Sequence, residues 1–178
     1  GGGMAFTFLK AMGYNVGSSL VESKMISEAK NILDTARKSG KKIILPNDVV
    51  CSNNINASSD GIVISVRDIP DGMMGLDIGP KTIEKYSDIL ASSKTVLWNG
   101  PMGVFENKFF ENGTKLIADK LVQIVLADST VIAGGGDTAS ALRHFQLEEK
   151  ISHVSTGGGS SLELMSGNQL KAINKLEI

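Results

Sequence analysis

Two kinds of apolar pattern alternate along the chain. The first is a short run rich in β-branched residues: Thr95-Val96-Leu97-Trp98, Thr130-Val131-Ile132-Ala133 and His153-Val154-Ser155. Such runs read as buried strands of a parallel sheet, and residues 42–46 and 61–66 read as strands too. The second kind repeats every three to four residues. Ser19-Leu20-Val21-Glu22 has the spacing of a capping box. Met25, Ile26, Ala29, Ile32, Leu33 and Ala36 then share one helical face, and Gly40 stops the helix. Pro80 opens a helix that runs to about Leu90. Phe110, Ile117, Leu121 and Ile124 mark one face of another, ending near Ala127. Residues 137–145 and 160–165 form two shorter helices. The alternation predicts an α/β fold: a three-layer αβα, Rossmann-like arrangement, with a mostly parallel sheet and helices on both faces. No linker composition divides residues 1–178, so they read as one domain.

Composition narrows the function. Eighteen Lys and Arg against nineteen Asp and Glu leave a formal charge of −1. A surface built for nucleic acid or an anionic membrane is not expected. No apolar stretch approaches the ~20 residues of a membrane span. The single cysteine, Cys51, makes neither an internal disulfide nor a Cys-based zinc site. A reduced, cytoplasmic, globular protein is expected. Glycine is the departure: 20 of 178 residues, about 11% against a typical ~7%.

The glycines cluster where strands give way to helices. Triplets stand at Gly1, Gly2 and Gly3, at Gly134, Gly135 and Gly136, and at Gly157, Gly158 and Gly159. In an open parallel sheet, ligands bind at the carboxyl ends of the strands. A glycine turn there lets the backbone approach an anion, and the following helix start supplies free N–H groups and a positive dipole end. The second triplet suits a phosphate. Asp137 beside it either caps the helix or holds Mg²⁺ next to phosphate oxygens. Thr138 either donates to phosphate or merely sits in the first turn. The third triplet carries no carboxylate, which suits a moving phosphoryl group as well as it suits a tight packing turn. Two anion-ready helix starts suggest a phosphate chain whose outer part bridges them.

Other chemistries find little support. Gly134-Gly135-Gly136-Asp137-Thr138-Ala139 matches the dinucleotide fingerprint formally, but residues 151–161 hold no acid for the ribose. No P-loop, H-E-x-x-H or G-x-S-x-G motif occurs. Glu106 is either a ribose acceptor or a solvated charge. Trp98 reads as core, His153 as a packed strand residue, His144 as a helix end, and Lys41 and Lys42 as a solvated edge.

Taken together and in order, five motifs resemble the phosphoglycerate kinase family, specifically its C-terminal, nucleotide-binding half. They are residues 1–10 (GGGMAFTFLK), 75–80 (GLDIGP), 96–106 (VLWNGPMGVFE), 134–138 (GGGDT) and 152–159 (SHVSTGGG). The resemblance implies phosphoryl transfer between 1,3-bisphosphoglycerate and ADP, giving 3-phosphoglycerate and ATP with Mg²⁺. It implies that Gly2, Gly3, Leu20, Gly75 and Leu76 line an adenine slot. Asn99, Pro101 and Val104 would flank the nucleotide, and Glu106 would hold the ribose. Gly135, Gly136, Asp137 and Thr138 would take the phosphates, with Asp137 on the metal. Gly157, Gly158 and Gly159 would stabilise the phosphoryl group in flight.

The family's N-terminal half, with its arginine- and histidine-rich phosphoglycerate surface, has no counterpart among these motifs. The chain holds three arginines, Arg37, Arg67 and Arg143, far apart in sequence. The family's strand before the first motif and its lysine-bearing segment upstream are absent as well. The expectation is a fragment, residues 1–178 being the nucleotide-binding domain alone. It would bind ADP or ATP without turnover, since closure of two lobes excludes water from the transferring group. The parent is expected to be a monomer, while the fragment would self-associate or be marginally stable through its exposed edge. Two other classes remain to be discriminated. A non-catalytic nucleotide-binding or interaction module would keep its nucleotide affinity in Asp137→Ala. A Rossmann oxidoreductase would bind nicotinamide.

Overall fold

The computed structural model describes residues 1–155, 157, 159, 162, 163, 166 and 167. The chain divides into two compact units, one of Gly1–Ile89 with Pro101–Ile117, the other of Leu90–Gly100 with Ala118–Ile178.

In the first unit, α1 (Gly2–Ala11) buries Ala5, Phe6, Thr7 and Leu9 along one side. It ends at Gly13, whose φ of +87° lets the Tyr14 amide donate back to Leu9 O at 3.1 Å. A single 3₁₀ turn, Ser23–Met25, precedes α2 (Ile26–Lys38). The expected capping box is not formed: no side chain caps α2, and Ser19 Oγ instead accepts the Gly75 amide at 2.9 Å. Gly40, at φ +68°, closes the helix as its spacing predicts.

Three strands follow: β1 (Asp48–Ser52), β2 (Ile62–Ser65) and β3 (Met74–Ile78). They pair in the order β2-β1-β3, antiparallel throughout, with an irregularity between Val50 and Cys51. The strand expected over residues 61–66 thus forms at Ile62–Ser65, but residues 42–46 form none. That stretch joins no ladder; the Tyr86 hydroxyl donates to Ile44 O at 3.2 Å. The core packs Phe6, Leu9, Val16, Val49, Cys51, Val66 and Ile69 together. Each large apolar side chain buried there contributes about 1.5–3 kcal/mol.

Helix α3 (Pro80–Ala91) opens at its proline as expected. Its cap comes from far away: the Asp48 carboxylate on β1 accepts the Lys81 and Thr82 amides at 3.1 and 2.8 Å. Helix α4 spans Asn112–Leu126.

The second unit carries the expected parallel sheet. β4 (Thr95–Asn99), β5 (Thr130–Gly134) and β6 (His153–Ser155) lie in that order, all parallel. Asn99 stands opposite Gly134, and Gly134 opposite Ser155, so the three strands end level with one another. Helix α5 (Gly136–His144) follows β5 immediately and buries Thr138, Ala139, Ala141 and Leu142. Trp98 is core, as its place at the end of β4 suggested.

Candidate functional site

The residues singled out from the sequence are distributed over both units, and each unit presents its own group.

In the second unit the glycine turn is built as its residues require. Gly135 takes φ +96°, a region L side chains rarely adopt, and forms the N-cap of α5. Its amide donates to Ser155 O at 3.0 Å, tying the turn to the end of β6. A Cβ at Gly135 would come within 3.1 Å of Asn99 Oδ1. Among the described residues, a Cβ at Gly136 would meet nothing within 4 Å, so they leave the space beside the helix start open. Among the described residues no side chain caps α5. The capping alternative for Asp137 is therefore not realised: its carboxylate stands exposed in the first turn. The first-turn amides of a helix have no intrahelical acceptor. With the dipole's positive end, they are groups that could receive an anion.

Thr138 is buried, with 1% of its surface exposed. Its Oγ1 accepts the Gly100 amide at 2.7 Å, so it fixes the chain leaving β4. Asn99 is exposed at that same strand end. Gly157 and Gly159 are exposed, while Gly158 lies outside the described residues. Of the helix expected over 160–165, residues 162 and 163 are helical and the rest lie outside the described residues.

Mg²⁺ is commonly held by one or two carboxylates together with substrate phosphates. Asp137, an exposed carboxylate in the first turn of α5, fits that pattern. Among the described residues no group of three or more His, Cys, Asp or Glu side chains could hold a metal by itself.

In the first unit the glycines act through close approach. Gly2, at φ +64°, donates its amide to Met102 O at 3.0 Å, and a Cβ there would lie 2.7 Å from Pro101 O. A Cβ at Gly3 would lie 2.8 Å from Leu20 Cδ2. Leu20 is 71% exposed. Ser19 before it is bonded to Gly75, and Glu22 after it donates its amide to Thr7 Oγ1 at 3.1 Å. A Cβ at Gly75 would collide with the buried Phe6 ring. Gly2, Gly3 and Leu20 thus present an accessible apolar surface. Leu76 differs: its side chain is buried, and its carbonyl accepts the Val104 amide at 2.8 Å. Pro101 and Val104 are half-buried, and Glu106 is exposed.

Two residues here escape sequence reasoning. Asp77 is 3% exposed, between Leu76 and Ile78 on β3. It accepts the Gly113 amide at 2.6 Å and the Ile78 amide at 2.9 Å. Burial pushes its carboxyl up to about 7, against the opposite pull of those two amides. Thr114, fully buried, accepts the Met102 and Gly103 amides, both at 3.1 Å. A carboxylate inside an apolar strand is the signal by which Asp77 could be found; nothing local marks Thr114.

A parallel sheet whose strands end beside a glycine turn and a helix start defines an α/β protein. The family profile described as "Phosphoglycerate kinase" matches residues 1–168. The chain is 51% identical over 174 residues to "Phosphoglycerate kinase" of Thermosipho africanus, covering 97% of this chain and 43% of that one. It is 48% identical over 177 residues to "Phosphoglycerate kinase, cytosolic" of Nicotiana tabacum, covering 99% of this chain and 44% of the relative. Its fold is similar to the solved structure of phosphoglycerate kinase from Coxiella burnetii, with a TM-score of 0.89 and 36% identity over 94% of this chain and 43% of that one. The chain belongs to the phosphoglycerate kinase family. It spans under half the length of the relatives it matches.

Proposed function

We propose that this chain is the Mg-ADP/ATP-binding lobe of a phosphoglycerate kinase. The parent would transfer a phosphoryl group between 1,3-bisphosphoglycerate and ADP, giving 3-phosphoglycerate and ATP. The observation that carries the reading is the start of α5, uncapped and bordered by open space at Gly136.

The chemistry needs positioning and charge stabilisation and no covalent nucleophile. The amides of Gly136 and Asp137 would donate to phosphate oxygens. Asp137 would hold the magnesium, which when bound neutralises charge on those oxygens. Thr138 keeps the chain leaving β4 in place through Gly100, and its backbone amide in the first turn of α5 would be its contribution to the phosphates. Gly157, Gly158 and Gly159 would take the phosphoryl group in flight. On the first unit, Gly2, Gly3 and Leu20 would offer the purine an apolar surface. Gly75 and Leu76 would shape that surface, Pro101 and Val104 would bound it, and Asn99 is proposed to flank the nucleotide. Glu106, exposed, would accept from the ribose.

The phosphoglycerate site is expected in the family's N-terminal domain, in keeping with the 43–44% of its relatives that this chain covers, and that domain is the partner proposed for turnover. No charge pattern calls for nucleic acid, and no described helix is long and apolar enough to cross a membrane. The cytosol is the proposed location, in keeping with the tobacco relative's name.

Calorimetric titration of Mg-ADP, paired with a phosphoryl-transfer assay on the 178-residue chain, tests the reading. Saturable one-site binding without turnover is expected. Absence of binding would overturn the nucleotide assignment, and turnover by the chain alone would overturn the need for a second domain.

A further inference from the structure

We propose that Asp77 is a positioning residue which, together with Thr114, sets the loop 101–104 in the geometry that presents it to a nucleoside. The inference rests on the nucleotide reading above for its ligand, and on the first unit's geometry for everything else.

Asp77 sits where three segments meet. Its Oδ1 accepts the amide of Ile78 in its own strand, and its Oδ2 accepts Gly113 at the start of α4. Both bonds are to a buried carboxylate, so losing either exposes an amide to an apolar surround. Gly103 and Gly113 both lie flush against the carboxylate: a Cβ built on either would collide with Asp77 Oδ1. The loop and the helix start are therefore moulded on the same group.

The residue after Gly113 transmits the placement. Thr114 Oγ1 receives two successive loop amides, Met102 and Gly103, while Leu76 O receives the next, Val104. Met102 O in turn accepts the Gly2 amide. Gly2, Leu76, Pro101 and Val104 are four of the residues assigned to the nucleoside, and each is in this network or adjacent to it. Asp77 itself is buried and touches no ligand. It holds α4, α4 places Thr114, and Thr114 holds the loop. An apolar residue in place of Asp77 could fill the volume but could not accept the Gly113 amide.

The test uses the 178-residue chain at pH 8, with two pairs of readouts. Ligand-free hydrogen exchange follows the Met102 and Gly103 amides, with the α5 amides as control. Calorimetry follows the affinity for adenosine and for ADP. Asp77→Asn, which can accept at one oxygen but not at two, is expected to speed exchange at Met102 and Gly103 about tenfold or more. The same variant should weaken adenosine and ADP by the same factor, about tenfold, with α5 unchanged. Thr114→Val should reproduce both effects, and Thr114→Ser, which restores the hydroxyl, should reverse them. This second pair decides the matter if Asp77→Asn does not fold. Wild-type exchange and affinity in Thr114→Val would overturn the proposal, as would equal losses in Thr114→Ser and Thr114→Val. Faster loop exchange in a chain whose wild type binds neither ligand would uphold the positioning role and overturn the nucleotide reading.

Discussion

The Thr138 hydroxyl accepts the Gly100 amide at 2.7 Å across a separation of 38 residues. The bond joins the first turn of α5 to the chain leaving β4, and Thr138 is buried to 1% exposure. A buried donor that loses its acceptor carries the full desolvation penalty, about 1–3 kcal/mol. Thr138→Val is expected to cost that much in urea denaturation, whereas Thr138→Ser should retain most of it. Equal stability of wild type and Thr138→Val would show that the bond contributes nothing.

Gly135 needs its missing side chain twice over. Its φ is +96°, and Asn99 Oδ1 stands 3.1 Å from where a Cβ would be. Gly135→Ala is expected to destabilise the chain by about 1–3 kcal/mol, seen as a lower urea midpoint at unchanged slope. Gly136→Ala, whose Cβ would meet nothing, should be near neutral for stability.

Asp77 gives a signed pH dependence. Its carboxyl is pushed from the ordinary 3.8 up to about 7 by burial. A folded-state value above the unfolded one means the protonated form is favoured in the fold. The stability this group contributes is therefore full below about pH 4 and is lost as pH rises through about 7. Asp77→Asn does not titrate, so its stability relative to wild type should improve between pH 4 and pH 8. Urea midpoints at several pH values measure the difference, and a flat difference would contradict the assignment.

Cys51 is fully buried, and burial pushes its thiol up to about 11. A protonated, inaccessible thiol is a poor nucleophile. The native chain is expected to resist a thiol reagent at neutral pH and to react stoichiometrically in urea. Rapid native labelling would mean that β1 opens locally.

What could be read from the chain was whatever depends on near neighbours. β6 falls on His153–Ser155 as its apolar run indicates, and α3 opens at Pro80. The strand–turn–helix at Gly135 was legible because β-branched residues, glycines and a helical face succeed one another there. What could not be read depends on partners far along the chain. Ser19 has the local chemistry of a cap, yet the Gly75 amide 56 residues away claims its hydroxyl. Asp48 caps α3 across 34 residues, and Asp77 reaches Gly113 across 36. Residues 42–46 have the composition of a strand, but a strand exists only through its neighbour, and composition does not supply one. The antiparallel pairing of β1 with β2 and β3 was hidden for a related reason: strand direction follows from connections, not from residue type. At the site, residue type alone leaves Asp137 two roles, and the uncapped start of α5 removes one of them.

Loss of the Asp137 carboxylate should separate phosphate from nucleoside recognition. Asp137→Ala is expected to weaken Mg-ADP about tenfold or more while adenosine binds as to wild type. Calorimetry with both ligands reads the split. Unchanged Mg-ADP affinity would favour a turn that serves packing alone.

The most direct measurement is an amide-resolved NMR titration of the chain with Mg-ADP and, separately, with adenosine. The first-turn amides of α5, Gly136, Asp137 and Thr138, should shift with Mg-ADP and stay in place with adenosine. If Mg-ADP binds while those three amides remain unmoved, the phosphates are held elsewhere and the account is wrong.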